Sequence, residues 1–159
     1  FVDLGRRDDE RRADRDGVLD TQRSFAIKFV ELAAEAPCCP EALRGVMGTP
    51  FEVNHFSGSP SYALRFETAG KVFAYSGDAG WGDNVIRAGS RADLYLLECY
   101  QYDMKLAMHL DYLTIAQHFD AISARQIVLT HMSEAMLAAR CAIDASRCKA
   151  AEDGMVIDF

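Results

Sequence analysis

A layered α/β domain, with helices on at least one face of a mixed sheet, is the fold class this sequence predicts. Two observations carry that prediction. Between residues 51 and 76 three short apolar runs are separated only by turn-forming residues such as Gly and Ser, the pattern of adjacent antiparallel strands. From residue 83 onward helix-type segments alternate with buried strand-type runs, as in β-α-β units. Size sets the frame: 159 residues, half of them apolar, suffice for one compact domain with its own core.

Taken in order, residues 1–24 stand apart as a charged arm or linker, and residues 25–159 form the domain. In the arm Arg6, Arg7, Arg11, Arg12, Arg15 and Arg23 interleave with Asp3, Asp8, Asp9, Glu10, Asp14, Asp16 and Asp20. Opposite charges at helical spacing support a helix only weakly, and little in this run buries area. Phe25, Ile27 and Phe29 then alternate with Ala26, Lys28 and Val30 as a strand does, before a loop through Pro37, Pro40, Gly45, Gly48 and Pro50. Strands are expected at 51–56, 62–67 and 71–76, a short helix at 83–90 and a buried strand at 94–98. A helix at 111–119 capped by Asp111, a strand at 126–130, a helix at 133–141 capped by Ser133 and a closing strand at 155–159 complete the chain.

Seventeen Lys and Arg against 24 Asp and Glu leave a net charge of −7, which argues against a broad electrostatic grip on nucleic-acid phosphate. No run approaches the length of a membrane span, and the first residues carry charge where a signal peptide needs an apolar core. A cytoplasmic protein without a membrane partner is expected. Cys38, Cys39, Cys99, Cys141 and Cys148 are odd in number and lack CxxC spacing, so free thiols are expected rather than a disulfide framework or thiolate zinc site. Cys38 and Cys39 as a metal or oxidation site is the lesser reading.

Three of the four histidines fall at element ends, where α/β proteins place ligands and catalysts. His55 lies near the end of the 51–56 strand, His109 ahead of a helix start, and His131 directly after the apolar run Ile127, Val128, Leu129. His118 falls within a helix, opposite Tyr112, Ile115 and Phe119, and is expected on the surface. The sharpest local feature is the stretch from Tyr75 to Asp83, a strand running into a loop with Gly77, Gly80 and Gly82, whose first carboxylate is Asp78. That loop is either a turn capped by Asp78 or a place where the backbone approaches a ligand closely. Asp78 and His131 are strand-end donors of the kind that suit a divalent metal. Glu98 ends an apolar strand and needs a partner, which His109 or a backbone donor would supply, as part of the chemistry or as a structural link. Trp81 and Tyr100 either shape a pocket or simply pack.

The ordered series Tyr75-Ser-Gly-Asp-Ala-Gly-Trp81, Leu94-Tyr-Leu-Leu-Glu-Cys-Tyr100, His109-Leu-Asp-Tyr112 and Val128-Leu-Thr-His-Met-Ser133, preceded by Val53-Asn-His55 and Ser61-Tyr-Ala-Leu-Arg-Phe66, resembles a known family. It is similar to the C-terminal half of metallo-β-lactamase-fold hydrolases of the ribonuclease Z-like, phosphodiesterase branch, over residues 25–159. The resemblance implies an αββα sandwich, present here as its C-terminal half with a mixed sheet and outer helices. It implies that His55 and His131 are metal ligands on opposite sides of a two-metal site, with Asp78 bridging both ions. It also implies that His109 acts near the leaving group and that Glu98 orients it, while substrate-binding residues stay unidentified. Two divalent ions, zinc first and manganese second, would lower the pKa of a bound water and clamp phosphoryl oxygens. Hydrolysis of a phosphodiester by a metal-bound hydroxide is the implied activity, with a small phosphodiester or ester favoured over RNA. The alternative is a degenerate, non-catalytic interaction module.

The family's His-x-His-x-Asp-His loop has no counterpart, since none of the four histidines precedes His55. Either the chain is the C-terminal portion of a longer hydrolase, which is favoured, or it is a shortened relative in which Phe1-Val-Asp-Leu-Gly5 echoes an early strand. Both leave part of the core open, so a partner is expected to cover it, a second copy of the chain or a missing N-terminal half.

Overall fold

The computed structural model describes residues 31–39 and 43–159, together with the backbone of Val18–Leu19 and Ile27–Lys28. The chain divides into two compact units, Phe1–Glu31 and Leu32–Phe159. In the first, β1 (Val18–Leu19) and β2 (Ile27–Lys28) pair antiparallel. The remainder of the strand expected around Ile27, the rest of the charged arm and the Phe1-Val-Asp-Leu-Gly5 segment lie outside the described residues.

The second unit is built on a six-stranded sheet in the order β3-β4-β5-β6-β7-β8. β3 (Met47–Val53), β4 (Ser61–Thr68) and β5 (Lys71–Tyr75) form an antiparallel meander. From β5 the sheet continues in parallel through β6 (Leu94–Glu98), β7 (Ile127–Thr130) and β8 (Lys149–Ala150). Parallel neighbours need crossovers, and these are α1 (Asp83–Gly89), then α2 (Tyr112–Gln117) with α3 (Phe119–Ile122), then α4 (Glu134–Ala139) with a 3-10 turn at Arg140–Ala142. The mixed sheet with helical crossovers is the α/β architecture expected from the sequence.

Packing follows from the alternation of side chains across each strand. Ala63, Ala74, Tyr95, Leu97, Ile127 and Leu129 share one face with the core residues Val85, Ala88, Ile115, Ile122 and Met136. Ala63 and Ala74 are small, and α1 lies against β3, β4 and β5. Gly89 lets the end of α1 pass close over Tyr95 of β6, because a Cβ there would stand 2.2 Å from the Tyr95 ring. The Tyr95 hydroxyl, fully buried, donates to the Val85 carbonyl at 2.8 Å. On the other face Phe66 stacks on Phe73 with centroids 6.0 Å apart, and Leu64 and Leu96 remain half-buried.

Five expectations are corrected. β3 begins at Met47 rather than Phe51, since an edge strand tolerates Pro50, whose carbonyl accepts from the Glu35 N–H at 2.7 Å. It also ends at Val53, where the His55 N–H turns back onto the Val53 carbonyl, so His55 lies in the loop beyond the strand. The helix expected at 111–119 breaks at His118, whose ring nitrogen Nδ1 meets the Thr114 carbonyl at 2.8 Å and whose side chain is half-buried against Trp81 rather than on the surface. No strand forms at 155–159: the sheet edge is taken by β8, and a turn with Gly154 at φ +79° sends the chain back so that Phe159 packs on Phe73. The caps hold as expected, with Asp111 accepting from the Thr114 N–H at 2.8 Å and Ser133 from the Met136 N–H at 3.2 Å. All five cysteines are free thiols. Among the described residues no helix is long and apolar enough to cross a membrane.

Candidate metal centre

The sheet topology brings the sequence-predicted residues to one edge. β5, β6 and β7 are parallel, and β3 runs in the same direction because two antiparallel steps separate it from β5. The C-terminal ends of these four strands therefore share an edge, and the segments that follow them carry the chemistry. Asp78 follows β5, Glu98 ends β6, His131 follows β7 and His55 follows β3. His109 comes from the β6–α2 connection, where the Tyr100 and Gln101 N–H groups both donate to the Leu110 carbonyl, at 3.0 and 3.2 Å.

Ligating atoms of Asp78, Glu98, His109 and His131 all lie within 4.8 Å of one another. The Oδ2 atom of Asp78 faces Nε2 of His131 at 3.6 Å and Nε2 of His55 at 4.0 Å. Both distances exceed a hydrogen bond. Two donors held at about 2.1 Å from one tetrahedral ion stand about 3.4 Å apart, so this spacing fits an ion between Asp78 and each imidazole. The donor set, one carboxylate oxygen and neutral imidazole nitrogens, is the chemistry that zinc-like ions prefer.

Glu98 is differently placed. Its side chain is 1 % exposed, and both oxygens are engaged: Oε1 with Nδ1 of His109, and Oε2 with the Leu110 N–H at 2.7 Å. Burial pushes its carboxyl above the ordinary carboxylate range, while the hydrogen bonds from His109 and Leu110 oppose that rise. Glu98 thus has both His109 and a backbone donor as partners, where the sequence required only one of the two. Ser76, buried beneath the site, accepts from the Glu98 N–H and donates to the Gly77 carbonyl, each at 2.8 Å, and so ties the end of β6 to the Asp78 loop. Ser76 escaped the sequence reading because nothing distinguishes a buried serine at a strand end from a solvated one.

Two backbone features hold the loops in place. Gly80 lies between Asn54 and Ala107, donating to the Asn54 carbonyl at 2.7 Å, and a Cβ there would meet the Ala107 carbonyl oxygen at 2.0 Å. His131 adopts a left-handed backbone with φ +53°, uncommon for a residue with a Cβ. Such strain clusters at functional sites. Of the remaining candidates, Trp81 packs at a 40° tilt on His118 with centroids 4.4 Å apart, whereas Tyr100 packs on His109 and His131. Cys38 and Cys39 join no candidate ligand cluster among the described residues. A separate cavity of about 390 Å³ is lined by Glu52, Asn54, Asn84 and Arg87 but by none of the five site residues. Its arginine is neutralised by Glu35 at 2.8 Å.

The family model described as the beta-lactamase superfamily domain matches residues 7–132. Among solved structures the chain is similar to the metallo-β-lactamase fold protein YhfI from Bacillus subtilis, with TM-score 0.65 and 21 % identity over 83 % of this chain and 55 % of that one. Zn2+-bound PqqB from Methylobacterium extorquens gives TM-score 0.64 and 18 % identity, covering 83 % of this chain and 56 % of that one. The short form of human tRNase Z gives TM-score 0.54 and 23 % identity, covering 72 % of this chain and 42 % of that one. The chain spans about half the length of these solved structures. No curated protein matches it.

Proposed function

From the premise that this chain belongs to the beta-lactamase superfamily domain family, we propose that it serves metal-dependent hydrolysis of a small phosphodiester. His55, Asp78 and His131 are the side chains that would hold divalent metal, zinc before manganese. The single observation that carries this reading is the Asp78 carboxylate oxygen facing two imidazole Nε2 atoms at 3.6 and 4.0 Å, too far to bond one another and well placed to share an ion. Held by these side chains, a divalent ion would lower the pKa of a bound water and would clamp phosphoryl oxygens.

His109 and Glu98 handle the proton. Glu98 would accept a hydrogen bond from Nδ1–H of His109, so that Nε2 can take a proton from solvent and, with both ring nitrogens protonated, pass that proton to a departing oxygen and return to the neutral imidazole. Burial of Glu98 strengthens that hydrogen bond and keeps the imidazole in one orientation.

Metal content and hydrolysis of bis(4-nitrophenyl) phosphate, measured together on the purified chain, test the reading. Zinc or manganese uptake that is lost in Asp78→Ala is expected, and His109→Ala should keep the metal while losing turnover by about 10²-fold or more. A folded protein that takes up neither ion, or takes it up equally after Asp78→Ala, refutes it. Metal uptake without turnover by the wild-type chain would favour the interaction-module reading instead.

A further inference from the structure

Tyr100 stands where the histidine-bearing segments meet. Its N–H donates to the Leu110 carbonyl at 3.0 Å and its carbonyl accepts from the Ser133 N–H at 3.1 Å, so its backbone is stitched to the neighbourhoods of both His109 and His131. Its ring lies nearly parallel to His109, with centroids 4.7 Å apart and planes at 28°, and tilts 33° against His131 at 5.4 Å. The two imidazoles are themselves 5.4 Å apart. Three rings therefore pack mutually, with the tyrosine touching both of the others.

The two imidazoles are oriented by different means. His109 is held by Glu98, but among the described residues no hydrogen bond orients the ring of His131. Imidazoles that bind metal are ordinarily fixed by a hydrogen bond through the second nitrogen, because the terminal torsion of a histidine is otherwise broad. Ring packing on Tyr100 and on His109, which itself lies against Tyr100, can do this for His131. No hydrogen bond engages the Tyr100 hydroxyl among the described residues, so the aromatic face is the working part.

We propose that Tyr100 is a positioning residue whose ring sets the spacing of His109 and His131 and the angle at which His131 faces Asp78. The proposal rests on the reading of that site as a metal centre. Tyr100 touches neither a reacting atom nor the ion; it acts through the two imidazoles.

The experiment compares wild type, Tyr100→Phe and Tyr100→Leu in the full chain, with Tyr100→Met in reserve should the leucine variant not fold. Zinc affinity is read by competition with a chromophoric chelator. The His109–His131 ring-proton contact is read by NMR in the metal-free protein. Tyr100→Phe should stay within about twofold of wild type in zinc affinity and keep the ring contact. Tyr100→Leu should bind zinc about tenfold more weakly and lose the contact, at an unfolding midpoint close to wild type. A folded leucine or methionine variant that keeps both affinity and contact overturns the proposal, as does a phenylalanine variant that loses both. If the wild type takes up no zinc, the metal-centre reading fails, and the metal-free ring contact alone decides whether Tyr100 positions the imidazoles.

Discussion

Replacing Gly80 by alanine drives a methyl group into backbone on both sides. The Cβ would lie 2.0 Å from the Ala107 carbonyl oxygen and 3.1 Å from that of Asn54, and contacts under 3.0 Å are essentially never met. The Asp78 loop must therefore retreat by about 1 Å, because neither obstacle is the movable end of a side chain. Overpacking of this kind costs about 1–3 kcal/mol. Retreat also weakens the 2.7 Å bond from the Gly80 N–H to Asn54, worth roughly 1 kcal/mol, so the total loss is about 2–4 kcal/mol. Urea unfolding should then show a midpoint lower by roughly 1–2 M. Gly82→Ala is the control, since its Cβ meets only the Asn54 side-chain nitrogen at 3.6 Å and its extended backbone suits any residue; it should cost under about 1 kcal/mol. Asn54 adjoins His55 and Ala107 lies close before His109, so metal affinity should fall in Gly80→Ala and not in Gly82→Ala. Equal unfolding midpoints for the two variants would refute the reasoning.

Glu98→Gln tests whether burial dominates at that carboxylate. Because the folded-state pKa is raised above the ordinary 4.5, the folded protein holds the proton more tightly than the unfolded chain, and stability is lost as pH rises from about 4.5 through the raised value. The stability of wild type relative to Glu98→Gln should therefore decline between pH 4.5 and 7.5 in urea titrations, and a difference that moves in favour of wild type contradicts burial as the larger cause. For the thiols, Cys39 and Cys141 are exposed and should react with a disulfide reagent in the native protein. Burial pushes Cys99 up to about 12 and Cys148 to about 11, so both should react only after unfolding, and rapid native-state modification of either would contradict their placement.

Much of the site was legible before the fold was known. Asp78, Glu98, His109 and His131 each sit at or just beyond a strand end or helix start, and parallel strands bring such ends together on one edge. The caps Asp111 and Ser133 were legible because they serve backbone donors within three residues of themselves. Interactions between distant segments were not. His118 read as a surface residue from helical periodicity, yet Trp81, 37 positions earlier, covers its ring. β8 is two residues long, too short for any periodic signal, and exists because β7 offers it an edge. The closing segment, residues 155–159, is expected as a strand, but that edge is already filled, and Phe159 packs instead on Phe73.

By itself the sequence determined the types of most elements from residue 47 to residue 139, the mixed character of the sheet and which polar residues stand at strand ends, because these depend on local periodicity and on residues a few positions apart. Only the tertiary structure decided that Asp78 faces two imidazoles rather than capping a turn, that Glu98 is buried against His109, and that Tyr100 lies between two histidine-bearing segments. Those outcomes turn on distances of a few ångströms between residues 9 to 53 positions apart, set by strand register and by close approaches such as that at Gly80.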